Sequence, residues 1–361
     1  VLMDPELQFG ELYTAGRLEV EGDLPALLTS ALGADAGQGL LWRLVPRRLL
    51  EGRLRQDEAR AARNARHHYD VSNDFYRLWL DERMVYTCAY YPRPELSLEQ
   101  AQVAKMDHVC RKLALQRDEE VVEAGSGWGS LALHMARYYG VRVRAYNVSR
   151  EQVAWARERA EKEGLAERVD FVLDDWRAAR GPCDAFVSVG MLEHVGVDHY
   201  EELGRVIDRC LRPKGRGLLH TIGRARAQRL NRWTERRIFP HAQPPTLGQM
   251  MRVFEPNGFV VLDVENLRQH YARTAAEWLR RFEAVRQEAQ RLVGPERTRA
   301  WHLYLAGTVA SFRASTLQLY QAVFTRTRND AIPWTRAHLY RDDEPEAHAR
   351  FADVEKPVAT G

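Results

Sequence analysis

The stretch "EEVVEAGSGWGSLALHMARYYG" (Glu119 to Gly140) decides the fold. An apolar run ends in a turn with glycine at 125, 127 and 129, and a helical pattern begins directly behind it. Glycine lets a backbone turn tightly and come close to a ligand. A strand, a Gly-rich turn and a helix in that order belong to a doubly wound α/β sheet, which binds its ligands at the carboxyl ends of its strands.

The same alternation continues outward. "VRVRAYNVS" reads as a second strand and "REQVAWARERAEKEG" as a helix with Gly164 as its C-cap. "RVDFVLDD" is a third strand, and "CDAFVSVGMLEHV" holds a fourth. "YEELGRVIDRCLRPKG" reads as a helix stopped by Pro213 and Gly215, "RGLLHTIG" as a fifth strand and "GFVVLDVENL" as a sixth. Strands and helices at this spacing predict a parallel, doubly wound sheet. Residues from about 273 to 328 read as helical and following the sheet. The chain divides into a small N-terminal unit (1–66), a catalytic domain (67–340) and a polar tail (341–361).

The glycine spacing is GxGxG, not the GxGxxG of pyrophosphate binders, which favours adenosine with an amino-acid tail over a dinucleotide. The ligand of that description is S-adenosylmethionine. Its ribose is expected at the end of the second strand, where the chain has Asn147 with Gln152 one helical turn further on. At the end of the third strand Asp175 can take the adenine amino group while Trp176 covers the ring face. Asn147 lacks the carboxylate that most nucleotide folds place there.

Composition excludes several other classes. Hydrophobic content of 45% and charged content of 29% are those of a globular protein. No apolar run approaches the ~18 residues that span a bilayer, and the first residues do not read as a signal peptide. The four cysteines have neither CxxC nor disulfide-scaffold spacing, so a cytoplasmic setting is expected. The net charge of +3 rests almost entirely on arginine balanced by acids, which argues against a nucleic-acid partner. Eight arginines do gather between Leu41 and Arg66, around "LLWRLVPRRLL". They fit either a solvated helix or a patch for anionic lipid headgroups.

"MVYTCAYYPR" (Met84 to Arg93) sets a cysteine among tyrosines. Together with "SNDFY", "GSGWG", "EHVG", "LLHTIG", "HYART" and "PWTRAHLY", in that order, it resembles the cyclopropane-fatty-acid synthase family, which includes the mycolic acid cyclopropane synthases. The resemblance runs from about residue 60 to 340. It implies a methyltransferase domain with helical insertions over a lipid site. The implied reaction is methyl transfer from S-adenosylmethionine to the double bond of an unsaturated phospholipid acyl chain, closing a cyclopropane. By position, Tyr86 and Thr87 match residues that touch S-adenosylmethionine, together with Gly125, Gly127, Asn147, Gln152, Asp175 and Trp176. Cys88, Glu193, His220 and Tyr271 match those that hold a bicarbonate ion, Cys88 mainly through its backbone. No metal is implied. A peripheral place on the inner membrane surface is expected, with room for a homodimer.

Two departures stand out. Thr308 occupies a position where family members often carry a cysteine. "FPHAQPP" replaces a common "FPGG", putting His241 and Ala242 in the place of glycines. The departures keep open a methylene- or methyl-branched product, or methylation of an amine. A lipid-binding protein with a dead site is disfavoured by the intact Glu193, His220 and Tyr271, and a nicotinamide oxidoreductase by the glycine spacing.

Overall fold

The computed structural model describes residues 5–35 and 72–340. The Arg-rich stretch Leu41–Arg66 and the polar tail lie outside the described residues. Seven strands form one sheet in the order β3-β2-β1-β4-β5-β7-β6. They are β1 (Glu120–Ala124), β2 (Arg142–Asn147), β3 (Val169–Leu173), β4 (Cys183–Val189), β5 (Leu211–Arg224), β6 (Phe259–Asn266) and β7 (Leu317–Arg326). The first five pair in parallel, whereas β7 runs antiparallel to both β5 and β6.

Alternation along each strand feeds two cores. Val121, Ala185, Leu218 and Val323 face helices Leu98–Lys112, Ser130–Tyr139 and Arg150–Lys162. Their neighbours Val122, Phe186, Leu219 and Phe324 face helix Tyr200–Cys210 and the turns around Met250–Phe254. A period of two with both faces covered makes such strands read as almost unbroken apolar runs.

Two expectations need correction. Residues 317–326 are a strand, so the sheet has a seventh member and is mixed, not wholly parallel. Helices Arg268–Ala284, Arg286–Val293 and Pro295–Arg313 occupy the remainder of that region as expected. The strand hides because no proline or glycine separates it from the preceding helix; Ser315 in a left-handed conformation (φ 61°) makes the break. The second correction concerns helix Tyr200–Cys210, which ends before Pro213 and Gly215. Both belong to the first part of β5, where the pairing jumps from Cys183↔Leu211 to Ala185↔Arg216. That irregularity leaves Pro213 without a ladder bond to donate.

A third, aromatic core lies over the sheet. It includes Phe75, Tyr76 and Trp79 from one side and Tyr271, Trp278, Phe282, Trp301 and Phe312 from the other. The described N-terminal residues join this core: Tyr13 and Leu24 are buried in it. The Tyr13 hydroxyl bonds to His302 Nδ1 at 2.7 Å, and Trp233 Nε1 donates to Thr14 Oγ1 at 3.2 Å.

If β7 is an interior strand, Phe324→Ala should cost about 3–5 kcal/mol of stability. Trp334→Ala, at a residue 99% exposed, should change it by less than about 0.5 kcal/mol. Urea unfolding of the two variants checks the difference, which a surface helix over 317–326 would not produce.

Candidate active site

The Gly-rich turn sits at the carboxyl end of β1. Gly125, Gly127 and Gly129 all have positive φ (86°, 53° and 83°), but for different reasons. A Cβ on Gly129 would stand 2.6 Å from Phe171 Cζ and 2.8 Å from Ala156 Cβ, so this glycine packs the helix onto the sheet. A Cβ on Gly127 would meet nothing within 4 Å, leaving open space over the turn. Gly125 and Ser126 donate their peptide N–H groups to the Tyr146 carbonyl at 2.9 and 3.1 Å, pinning the turn to the end of β2.

Asn147 has a different use from the expected ribose contact. Its amide nitrogen donates to the Gly127 carbonyl and to Gln152 Oε1, both at 2.9 Å, and its oxygen accepts from the Ser149 N–H at 3.0 Å. Both amide hydrogens are engaged, so Asn147 braces the turn. The open donor is its neighbour: Gln152 Nε2 is buried with no partner among the described residues. Asp175 accepts from the Arg177 N–H at 2.9 Å and from its guanidinium at 3.1 Å, capping the short turn Trp176–Ala178. The guanidinium of Arg177 lies 4.3 Å from the centre of the Trp176 ring and covers one face of it.

Sequence reasoning missed Glu123 and Lys105. Glu123 is buried at the end of β1 with Oε2 unpartnered among the described residues, and burial pushes its carboxyl up while nearby Lys105 pulls it back. Lys105 is buried too and donates to Thr87 Oγ1 at 3.0 Å. One signal was available: the chain has five lysines among 53 cations, and Lys105 and Lys112 lie seven residues apart on one helix.

The tyrosine-rich run is an irregular buried segment held from both sides. At its start Asp81 accepts from the Val85 N–H at 2.8 Å, fixing a turn in which Met84 is left-handed (φ 59°). From helix Leu98–Lys112, Gln102 donates to the Thr87 carbonyl at 2.9 Å. From helix Arg268–Ala284, Thr274 Oγ1 accepts from the Ala89 N–H at 3.0 Å and His270 Nδ1 from the Tyr91 N–H at 3.0 Å. The Tyr86 ring then stands among Tyr76, Trp79 and Trp278, with centroids 5.2–5.5 Å away. Its hydroxyl donates to Tyr304 at 3.3 Å. Trp128 in the Gly-rich turn closes the other side, 5.1 Å from Tyr76 and bonded through Nε1 to Asn73 Oδ1 at 2.8 Å. Cys88 is fully buried and its thiol lies 3.2 Å from the Ala89 carbonyl. Burial pushes that thiol far above its usual range, which excludes a thiolate nucleophile.

Glu193 and His220 lie at the ends of neighbouring elements. Gly190 donates its N–H to the His220 carbonyl at 2.8 Å, and Thr221 Oγ1 donates to Glu193 Oε2 at 2.7 Å. Burial raises the Glu193 carboxyl to about 7, against the pull of the Thr221 hydroxyl. His220 is buried with Nε2 unpartnered among the described residues. Its imidazolium form is strongly disfavoured by burial and by the Lys105 and Lys112 ammoniums. Tyr271 stacks on Phe312 at 4.4 Å. Thr308 uses its hydroxyl proton within its own helix, donating to the Tyr304 carbonyl at 2.8 Å. In the "FPHAQPP" loop the Gln243 N–H donates to the Glu193 carbonyl at 2.7 Å, and His241 adopts a left-handed φ of 63° where glycine is common.

A Gly-rich turn with open space over Gly127, next to buried Glu123, Ser126 and Gln152 atoms that lack partners among the described residues, fits an adenosine ligand with a charged tail. The sheet order, the antiparallel β7 and this turn define an S-adenosylmethionine-dependent methyltransferase. Comparison with known proteins narrows the class. The family model of mycolic acid cyclopropane synthetase matches residues 56–322, and the chain belongs to that family. It is 38% identical over 272 residues to the cyclopropane-fatty-acyl-phospholipid synthase of Escherichia coli, covering 75% of this chain and 70% of that protein. A probable fatty acid methyltransferase of Pseudomonas putida is 35% identical, with 92% and 86% covered. The structure of cyclopropane synthase MmaA2 from Mycobacterium tuberculosis superposes with a TM-score of 0.70 at 29% identity, over 73% of this chain and 98% of that one. No described helix is long and apolar enough to cross a membrane.

Gly127→Ala and Gly129→Ala should separate the two glycine roles. The first is expected to fold and to lose S-adenosylhomocysteine binding, since the added methyl points into open space where a ligand would lie. The second should lose stability through the Phe171 and Ala156 clash, a strain of about 1–3 kcal/mol. Calorimetric titration alongside thermal unfolding distinguishes them.

Proposed function

We propose that this chain transfers a methylene unit from S-adenosylmethionine to the double bond of an unsaturated acyl chain in a membrane phospholipid, closing a cyclopropane with bicarbonate as base. One observation carries the reading: the buried Nε2 of His220, which has no partner among the described residues, on the strand whose next residue, Thr221, holds the buried Glu193 carboxyl. Gly125, Gly127, Gln152, Asp175 and Trp176 would hold the adenosine end, Glu123 the charged tail, and Tyr86 and Thr87 the side nearest the acyl chain. His220, Glu193, Tyr271 and the Cys88 backbone would hold the anion.

When bound, S-adenosylmethionine supplies an electrophilic methyl and bicarbonate a base. The π electrons of the alkene would form the new C–C bond as the S–CH3 bond breaks and its electron pair leaves with S-adenosylhomocysteine, which puts a carbocation on the adjacent chain carbon. Loss of a proton from the new methyl frees the electron pair that closes the ring. Water would trap such a cation, and the rings of Tyr76, Trp79, Tyr86, Trp278 and Trp301 both exclude it and present negative faces to the charge. Acyl chains would reach the site from the inner surface of the cytoplasmic membrane, where the arginines of Leu41–Arg66 suit anionic headgroups. A homodimer is compatible with this arrangement.

A second reading keeps the methyl transfer and changes its ending. Because the Thr308 hydroxyl donates to Tyr304, it gives an anion no hydrogen bond, and a loosely held base can take a proton from a chain carbon. Proton loss from the chain would give a methyl-branched alkene, whereas a 1,2-hydride shift onto the cationic carbon followed by proton loss from the new methyl would give a methylene branch.

His220→Ala and Tyr271→Phe should keep S-adenosylhomocysteine affinity and lose turnover by on the order of a hundredfold. Wild-type turnover in degassed buffer should rise when bicarbonate is added. Near-normal rates in both variants together with indifference to bicarbonate would remove the anion site. For the product, lipid extracted from a host expressing the chain should show upfield cyclopropane ring protons by NMR. Vinylidene signals in their place would establish the branched ending, and Thr308→Cys should shift the ratio towards the ring.

A further inference from the structure

We propose that Gln321 and Lys112 are positioning residues that lock His220 in its Nε2–H tautomer, so that the nitrogen facing the site is a fixed hydrogen-bond donor. The inference deepens the proposed anion site and rests on that reading for its chemical purpose, but not for its geometry.

Donor and acceptor counting settles the tautomer. Gln321 lies on β7 directly opposite His220 on β5, and it is 0% exposed. Lys112 Nζ lies 2.7 Å from the Gln321 amide oxygen. An ammonium can only donate, so the oxygen faces Lys112 and the amide nitrogen faces the imidazole. That nitrogen lies 3.0 Å from His220 Nδ1. An amide nitrogen has no lone pair to accept with, so Nδ1 must be bare. A neutral imidazole then carries its proton on Nε2, the atom without a partner among the described residues.

The far end of the relay is anchored as firmly. Lys112 Nζ also donates to Glu265 Oε2 at 2.5 Å, and His108 Nε2 reaches the same oxygen at 2.9 Å. Although burial works against it, bonding to His108 and Lys112 holds the Glu265 carboxyl down at about 2. The Glu265 carboxylate opposes the burial that works against the Lys112 ammonium, and orients it. Tyr90 stacks on His108 at 4.2 Å and covers this end with the tyrosine-rich segment itself. Lys105 and Lys112 are the charged groups that bear on His220, and both oppose the imidazolium. A donor at Nε2 suits an anion; a bare Nε2 would repel one. Glu193 and Tyr271 alone cannot set this choice, because the selecting bond is on the opposite nitrogen.

The test is long-range proton–nitrogen NMR on the full chain with isotope-labelled histidine, His220 being assigned by its loss in His220→Gln. The wild-type protein without ligand should show His220 neutral and protonated at Nε2 at neutral pH. Gln321→Met removes the selecting donor and should give a mixed or Nδ1-protonated His220. It should lose kcat by about 10- to 100-fold, with unchanged S-adenosylhomocysteine affinity. Gln321→Glu keeps the shape of the side chain. As pH rises and its carboxyl ionises, it accepts from Nδ1–H, so its activity relative to the wild type at the same pH should fall. An imidazolium or an Nδ1–H tautomer in the wild type would overturn the proposal, as would an unaltered His220 spectrum and kcat in folded Gln321→Met. Turnover indifferent to bicarbonate alongside the Nε2–H signature would sink the anion reading and leave the relay standing.

Discussion

Residues 85–91 belong to no helix or strand, yet most of them are buried, and everything around the site is arranged to make that tolerable. A buried backbone must find hydrogen-bond partners, and this one cannot find them in a ladder or a helical turn. Two helices lend side chains to it: Gln102 and Lys105 from below, Thr274 and His270 from above. These bonds decide where Tyr86, Thr87 and Cys88 stand. The same helix that supplies Gln102 and Lys105 continues to Lys112, which orients Gln321 and through it His220. One amphipathic helix thus holds both the segment over the site and the imidazole within it.

The aromatic density of the region follows from this arrangement. Trp79, Tyr86, Trp278 and Trp301 meet edge-on or tilted, at centroid distances of 5.2–6.4 Å, geometries in which ring quadrupoles attract. Such a cluster is rigid, because each ring is wedged by several others. Its polar atoms are few beside its ring area: the Tyr86 hydroxyl donates to Tyr304, and the indole N–H groups of Trp79 and Trp278 are donors with no partner among the described residues. A wall of this kind leaves water little to bond to. The chemistry of an alkyl cation needs that property more than it needs any single acid or base.

Much of the scaffold is legible in the sequence because it follows period and punctuation. The strands β1 to β6 and the glycine turn announce themselves as apolar runs bounded by glycine, proline and helix starts. β7 does not, since "LQLYQAVFTR" continues from a helix with only Ala314 to Thr316 between them. Its polar members Gln318, Gln321 and Thr325 look like the exposed face of a helix until pairing with β5 and β6 buries them. The site residues divide the same way. Glu193, His220 and Tyr271 are recognisable by motif, while Lys105, Gln102 and Gln321 are polar residues whose role exists only once distant segments meet. Asn147 shows the converse: its position at the end of β2 is readable, but not that its amide would be engaged by Gly127 and Gln152.

Thr308 draws these strands of argument together. Its hydroxyl reaches back to the Tyr304 carbonyl four residues earlier, a bond that a cysteine makes more weakly because a thiol is a poor donor. Tyr304 in turn receives the Tyr86 hydroxyl and lies 5.4 Å from Phe239, beside the loop in which His241 and Ala242 stand for glycines. Thr308 and the His241–Ala242 loop are therefore connected through one tyrosine. A residue that would otherwise face an anion instead stiffens the wall opposite Tyr86, and the adjoining loop, freed from the conformational latitude of glycine, is tied to the Glu193 carbonyl through Gln243. The proposed anion site would then depend on His220, Glu193 and Tyr271 for its polar contacts and on packing for its shape. That places the weight of positioning on the sheet side of the pocket, where Gln321 and Lys112 lie.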